Sequence, residues 1–327
     1  MYLKSAINIL FLFFIFLSCS KQSALVDFEY VYIYSSLEDK ILIKNIVEKE
    51  LLGEAYYTPE LELKYKPIWK THEDFLDKPK NSKLMLISLS EPVDTTMDII
   101  SKHLFSEFKI QDKMFSVHDY FNRDQVLVFL SYDNINDLNN EIIINKDWII
   151  SLFNENEKNA MDKITYRAGI NDSLTSLVSR IFDINIDIPM DYKFIKSDNS
   201  INNYLWLGRG YPYRWILFIE DDEKYYQNPA MSWNRLEEKF DNILDIEVPK
   251  YGASFNTAPM ELRGVYGTKF KSDNNTGGPF FSKIIQNYKL GKVLVLSGFV
   301  NFPGKSKVFH IKELEHILNK TKYKDGG

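Results

Sequence analysis

Chemistry in this chain starts with its one cysteine. Cys19 stands directly behind Ser18 and an unbroken apolar run over residues 9–17, with Lys4 ahead of the run. A cationic start, a short apolar stretch and a small residue before the cut make a secretory signal peptide. The run falls short of the about 20 apolar residues that a membrane-crossing helix needs. The order Phe16-Leu17-Ser18-Cys19 has the form of a bacterial lipobox, with Phe16 where leucine is usual. The expected chemistry is acylation of the Cys19 thiol once residues 1–18 are removed. Two alternatives stand beside it: an ordinary signal peptide with an incidental cysteine, and a retained anchor helix. Each buried methylene contributes about 0.8 kcal/mol, so several acyl chains hold a protein to a bilayer that a single chain would leave.

A second constellation is aromatic and cationic. Trp206, Tyr211, Tyr213, Arg214 and Trp215 crowd one hairpin, and Arg263 and Tyr266 follow later. Aromatic faces beside a guanidinium can bind a glycan or a peptide by stacking and cation–π contact. The same residues equally well form cross-strand pairs that stabilise a sheet without any ligand.

The remaining candidates fall to simpler readings. His72, His103, His118, His310 and His316 form no i, i+4 pair, and no second cysteine is present to complete a zinc site. Ser297 lacks the first glycine of a nucleophile elbow. Gly208-Arg209-Gly210 starts like a dinucleotide fingerprint, but Tyr213 takes the third glycine's place and a strand follows. Glu220-Asp221-Asp222-Glu223 lacks the spacing and central glycine of a calcium loop. Asn274-Asn275-Thr276 is formally a glycosylation sequon and reads as a turn. No catalytic residue, metal set or cofactor is expected.

The elements that must position these groups follow from periodicity. FEYVYIY reads as a strand, and Ser35-Ser36 can cap the helix after it, whose apolar face is Leu37, Ile41, Leu42, Val47 and Leu51. ELELKYKPIW alternates like a strand that Pro67 confines to a sheet edge. KLMLISLS is a strand, TTMDIISKHLF a helix, and MFSVHDYF pairs with DQVLVFLSY. A long helix covers about 136–166, and SLTSLVSRIF is another. DINIDIP alternates wet and apolar residues, as a half-buried antiparallel strand does. NYLWLGRGYPYRWILFIE is a hairpin, and MELRGVYGTKF, GGPFFSKIIQNY and KVLVLSGFVNF are three further strands. A helix over about 307–319 closes the chain. The expected architecture is α+β: two intimate lobes of mixed, largely antiparallel sheet with packed helices. The expected division is a signal peptide over 1–18, a lipidated tether over 19–26, an N-terminal lobe over 27–182 and a strand-rich lobe over 183–327.

The net charge of −5, with no basic block, argues against nucleic acid as a partner, since that needs clustered lysine and arginine. An exported body without a second cysteine cannot staple itself with a disulfide and must rely on burial, which 327 residues allow.

Glu261-Leu262-Arg263-Gly264-Val265-Tyr266 and Gly277-Gly278-Pro279-Phe280, followed by Gly298-Phe299-Val300, Pro303 and a terminal helix, carry a family likeness. In these segments and their order the chain resembles the Bacteroidetes envelope lipoproteins catalogued as domain of unknown function 4837. It departs from them at Thr276, where methionine is frequent, and at Tyr266, where tryptophan is. The resemblance implies a lipid-anchored envelope protein and no particular activity.

The expectation is a non-enzymatic, lipid-anchored protein that binds or organises an envelope protein, peptide or glycan. Its expected address is the periplasmic face of the outer membrane, with the inner membrane as alternative. The competing reading is a hydrolase of envelope polymers whose catalytic carboxylates cannot be picked out among 45 acidic residues.

Overall fold

A computed structural model describes residues 21–56, 58, 61–90, 94–109, 112–199, 203–250, 253–257, 260–268 and 277–323. The signal segment and Cys19 lie outside them, as does the sequon at Asn274. The chain is α+β, built as two compact units. Of the described residues, those within 21–52 and 66–157 form the first, and those within 53–65 and 158–323 form the second. The boundary therefore falls earlier than 182/183. The reason is packing: Leu174, Val178 and Phe182 are buried in the same apolar cluster as Leu205, Phe218 and Leu296 of the second unit's sheet.

In the first unit, β1 (Tyr30–Ser35) leads into α1 (Leu37–Asn45) and a π-helical turn over Ile46–Leu51. Ser36 caps α1, its Oγ accepting from Asp39 N at 3.1 Å. The buried face is Ile43, Val47 and Leu51, while Leu37, Ile41 and Leu42 of the expected face stand in solvent. Strands β2 (Lys66–Thr71), β3 (Lys83–Leu89), β4 (Met114–His118) and β5 (Val126–Tyr132) complete a sheet ordered β2-β1-β3-β5-β4. Pairs β1–β2, β1–β3 and β3–β5 are parallel, and only β4–β5 is antiparallel. Within this unit the sheet is mixed and mainly parallel, whereas the second unit's sheet is antiparallel, so the chain as a whole is mixed and largely antiparallel as expected. Crossovers containing α1, α2 (Glu73–Leu76) and α3 (Thr95–Phe108) bring the chain back to the same sheet edge, which makes neighbours parallel. β3 is accordingly buried along its whole length, as a strand covered on both faces must be. Pro67 sits on the edge strand β2, where a missing N–H costs least.

The helix α4 (Ile135–Thr165) runs through the division between units. The second unit continues with α5 (Asp172–Phe182) and an antiparallel sheet. Its strands are β6 (Lys193–Asp198), β7 (Tyr204–Arg209), β8 (Tyr213–Asp222), β9 (Ile246–Glu247), β10 (Ser254–Thr257), β11 (Met260–Thr268), β12 (Gly277–Lys289) and β13 (Lys292–Asn301). The order is β9-β11-β12-β13-β8-β7-β6, with β10 also on β11. One face packs on α5 and α7 (Val308–Asn319), the other on α6 (Pro229–Leu244). In DINIDIP the isoleucines are buried, but Ile184–Asn185 pairs with Lys322–Tyr323 and Pro189 bridges to Ile170, so the segment does not join the large sheet.

The paired glycines at 277 and 278 open strand β12. A Cβ on Gly278 would lie 1.9 Å from the Val300 carbonyl oxygen, and one on Gly264 2.6 Å from the Trp233 ring. These motif positions are required by close approach of neighbours. No helix among the described residues is long and apolar enough to cross a membrane.

Candidate functional site

The aromatic–cationic candidates of the second unit lie on β7, β8, the turn between them and β11. Successive strand residues point to opposite faces, and this divides the set. Trp206, Trp215 and Tyr266 join the cluster on the α6 face. Trp206 and Trp215 meet edge-on at 6.1 Å, Trp215 and Tyr266 lie tilted at 6.0 Å, and the Tyr266 hydroxyl donates to Val300 O at 3.1 Å. Arg214 and Arg263 occupy the opposite face. Arg263 donates to Glu315 at 2.7 Å, pairs with Glu261 at 3.1 Å and covers the Phe281 ring at 4.7 Å. Its neighbours hold the Arg263 guanidinium firmly charged: burial opposes the charge, and Glu315 and Glu261 overcome that. The seven residues are thus not one surface. Five of them are packing or ion-pair partners of the fold.

Tyr211 and Tyr213 remain. They are 62% and 47% exposed, in edge contact at 5.7 Å, and Tyr211 also meets Phe302 at 5.3 Å. The Tyr211–Pro212 peptide is cis. Beneath the tip, Arg214 donates Nη1 to Glu313 Oε2, and Arg209 Nη1 reaches Glu313 Oε1 at 3.3 Å. The Arg214 and Glu313 side chains are 5% and 3% exposed. Arg209 also pairs with Asp191 and lies 5.7 Å over the Tyr192 ring. His310 Nδ1 is 3.1 Å from Arg214 Nη1. Burial first, then the charges of Arg214 and Arg209, push the His310 imidazole down to about 3, so it is neutral at physiological pH. Neutral Nδ1 then accepts from the guanidinium. The arrangement makes a rigid base for an exposed aromatic tip. Reasoning from the sequence missed Glu313, His310 and Phe302. The signal was an acidic residue on the apolar side of the last helix, where burial demands a cationic partner.

Elsewhere the sequence candidates resolve into partners. Asp221 accepts from Arg235 at 2.6 and 2.9 Å. Asp222 accepts from Lys292 at 2.6 Å and Glu220 from Lys289 at 2.9 Å, so Glu220, Asp221 and Asp222 each face a cation. Burial works against the charge on Asp221, yet Arg235 and Lys239 hold its carboxyl below the usual range. Ser297 is buried and shares a 2.8 Å hydrogen bond with Ser282. Among the described residues no group of three or more potential ligands could hold a metal.

The first unit offers two further places. Parallel strands β1, β2 and β3 end together at Ser35, Thr71 and Leu89, the edge where open α/β sheets bind ligands. There His72 Nε2 is 3.0 Å from Asp94, and Asp39 accepts from Leu89 N at 3.2 Å. Burial, countered in part by those hydrogen bonds, raises the Asp39 carboxyl, with Asp94 and Glu38 adding repulsion. Separately, Phe75, Leu76, Ile99, Tyr120 and Phe121 line an apolar pocket of about 190 Å³.

A family profile described as a domain of unknown function (DUF4837) matches residues 237–320, so the chain resembles that family from α6 to the end of α7. No curated protein matches the chain. Among solved structures it is similar to a point mutant of protein Mog1, at 8% identity, with 43% of this chain and 90% of that one covered and a TM-score of 0.31. It is also similar to LpqN, described as involved in cell envelope biogenesis of Mycobacterium tuberculosis, at 13% identity, 42% and 81% coverage and a TM-score of 0.27.

Proposed function

We propose that the protein is a lipid-anchored component of the cell envelope that works by binding, held through Cys19 and facing the periplasm from the outer membrane. The inner membrane is the alternative address. The observation that carries the binding role is the hairpin tip, where Tyr211 and Tyr213 stand exposed beside the buried Arg214–Glu313 pair. Two rings fixed by their support lose little freedom on binding and suit the flat faces of a glycan or a peptide. Anchoring rests on the position of Cys19 behind Ser18.

The experiment compares wild type, Cys19→Ala and the pair Tyr211→Ala/Tyr213→Ala in living cells. Clickable palmitate should label the wild type and not Cys19→Ala; equal labelling refutes the anchor. Crosslinking in intact envelopes should recover a partner that the double tyrosine variant loses while keeping its melting temperature. Undiminished recovery refutes the tip as the binding surface.

A hydrolase reading has one observation in its favour: the raised Asp39 carboxyl near Asp94 at the carboxyl-terminal edge of the parallel sheet. A carboxyl whose pKa is pushed up by its surroundings is a candidate for acid–base work. Turnover of envelope polymer abolished by Asp39→Asn would favour it over binding.

A further inference from the structure

The start of the described chain is fastened beside the apolar pocket of the first unit. Lys21 Nζ donates to the backbone oxygens of Asp119 at 2.6 Å and Tyr120 at 2.8 Å. Arg123 N donates to Gln22 O at 2.8 Å, Ala24 N to Arg123 O at 2.7 Å, and Leu25 N to Lys80 O at 2.7 Å. The tether is therefore pinned to two loops, and both of them supply the pocket: Tyr120 and Phe121 from one, Lys78 from the segment leading to the other. On the rim Leu76 and Ile99 are 52% and 56% exposed, and Leu25 on the tether itself is 62% exposed. Large apolar side chains exposed around an apolar pocket are the composition of an interaction site.

We propose that this side of the first unit rests on the bilayer that anchors the protein, with the pocket and the exposed Leu25, Leu76 and Ile99 side chains seated against membrane lipid. The inference depends on the reading of Cys19 as the anchor. Cys19 precedes Lys21 by two residues, about 7 Å of extended chain. The membrane-bound end of the protein is thus held within a short reach of Tyr120, one wall of the pocket. A soluble ligand or a second copy has no such reason to meet this surface; the membrane is brought to it by the chain itself. Lys78, which makes no ion pair among the described residues, stands at the same rim, where a lipid phosphate would neutralise it.

The test uses the mature lipidated chain in vesicles of phosphatidylethanolamine and phosphatidylglycerol. Acylation consumes Cys19, so Leu76→Cys, Ile99→Cys and Ile144→Cys each give a single thiol for a bimane label. Ile144 on α4 is 74% exposed and equally apolar. It lies about 18 Å along the helix from Asn156, which bonds the Asp124 carbonyl near the tether loops. Lipids carrying a doxyl quencher should quench the labels at 76 and 99 at least threefold more than the label at 144. Equal quenching in protein that floats with the vesicles overturns the proposed surface and leaves the anchor intact. Protein that does not float overturns the anchor, and the surface with it.

Discussion

Replacing Glu313 by glutamine should unfold the second unit's margin of stability at one identifiable point. Glu313 is 3% exposed and receives Arg214 on one carboxylate oxygen and Arg209 on the other. Glutamine keeps the shape but sets an NH2 group, a donor, against one of two guanidinium donors. Arg209 retains Asp191, which is 45% exposed, so its charge stays compensated. Arg214 retains only the Pro212 carbonyl at 3.3 Å and His310 Nδ1. Breaking a buried pair by removing one partner costs about 3–5 kcal/mol. With one of two arginines still paired, the lower end applies, about 3 kcal/mol. For a unit of this size, at about 2–4 °C per kcal/mol, the melting temperature should fall by about 6–12 °C. Removing both charges, as Arg214→Met with Glu313→Leu, should return stability to within about 1 kcal/mol of wild type, because neither desolvated charge remains. Urea unfolding followed by tryptophan fluorescence suits the question, since Trp206, Trp215 and Trp233 all lie in this unit. A loss below about 1 kcal/mol for Glu313→Gln, or a double variant as unstable as the two single changes combined, refutes the reasoning.

Acid should weaken the same region through His310. Its folded-state value of about 3 lies below the ordinary value of 6.5, so the unfolded chain takes the proton first. Stability present above pH 6.5 is lost as pH falls from there toward 3, and His310→Gln should flatten that slope in urea titrations at stepped pH; an unchanged slope assigns the loss elsewhere. Gly278→Ala should cost about 4 kcal/mol or more by pressing a Cβ onto the Val300 carbonyl, whereas Gly210→Ala, with nothing within 4 Å of its Cβ, should melt near wild type. Similar melting temperatures for the two alanine variants would show that β12 shifts at little cost.

Periodicity and residue type were enough to define most elements. The alternation of YLWLGR and YRWILFIEDD gave the hairpin, MELRGVYGT, GGPFFSKIIQNYK and KVLVLSGFVN gave three strands of one sheet, and the long helix was predicted within a residue or two of Ile135–Thr165. Local chain geometry dictates these patterns, so they are legible locally. The parallel pairing of β1 with β2 and β3 was not, because direction depends on where a crossover returns the chain. Nor was the division at Glu157, which follows from which core Val178 and Phe182 enter. The candidate site shows the limit most plainly. Residue types put Arg214 between Tyr213 and Trp215, but the pleat sends the arginine to one face and the tryptophan to the other. The partner that fixes Arg214 is Glu313, 99 residues away. A buried charge requires a counter-charge, and only the folded chain decides which of 45 acidic residues provides it.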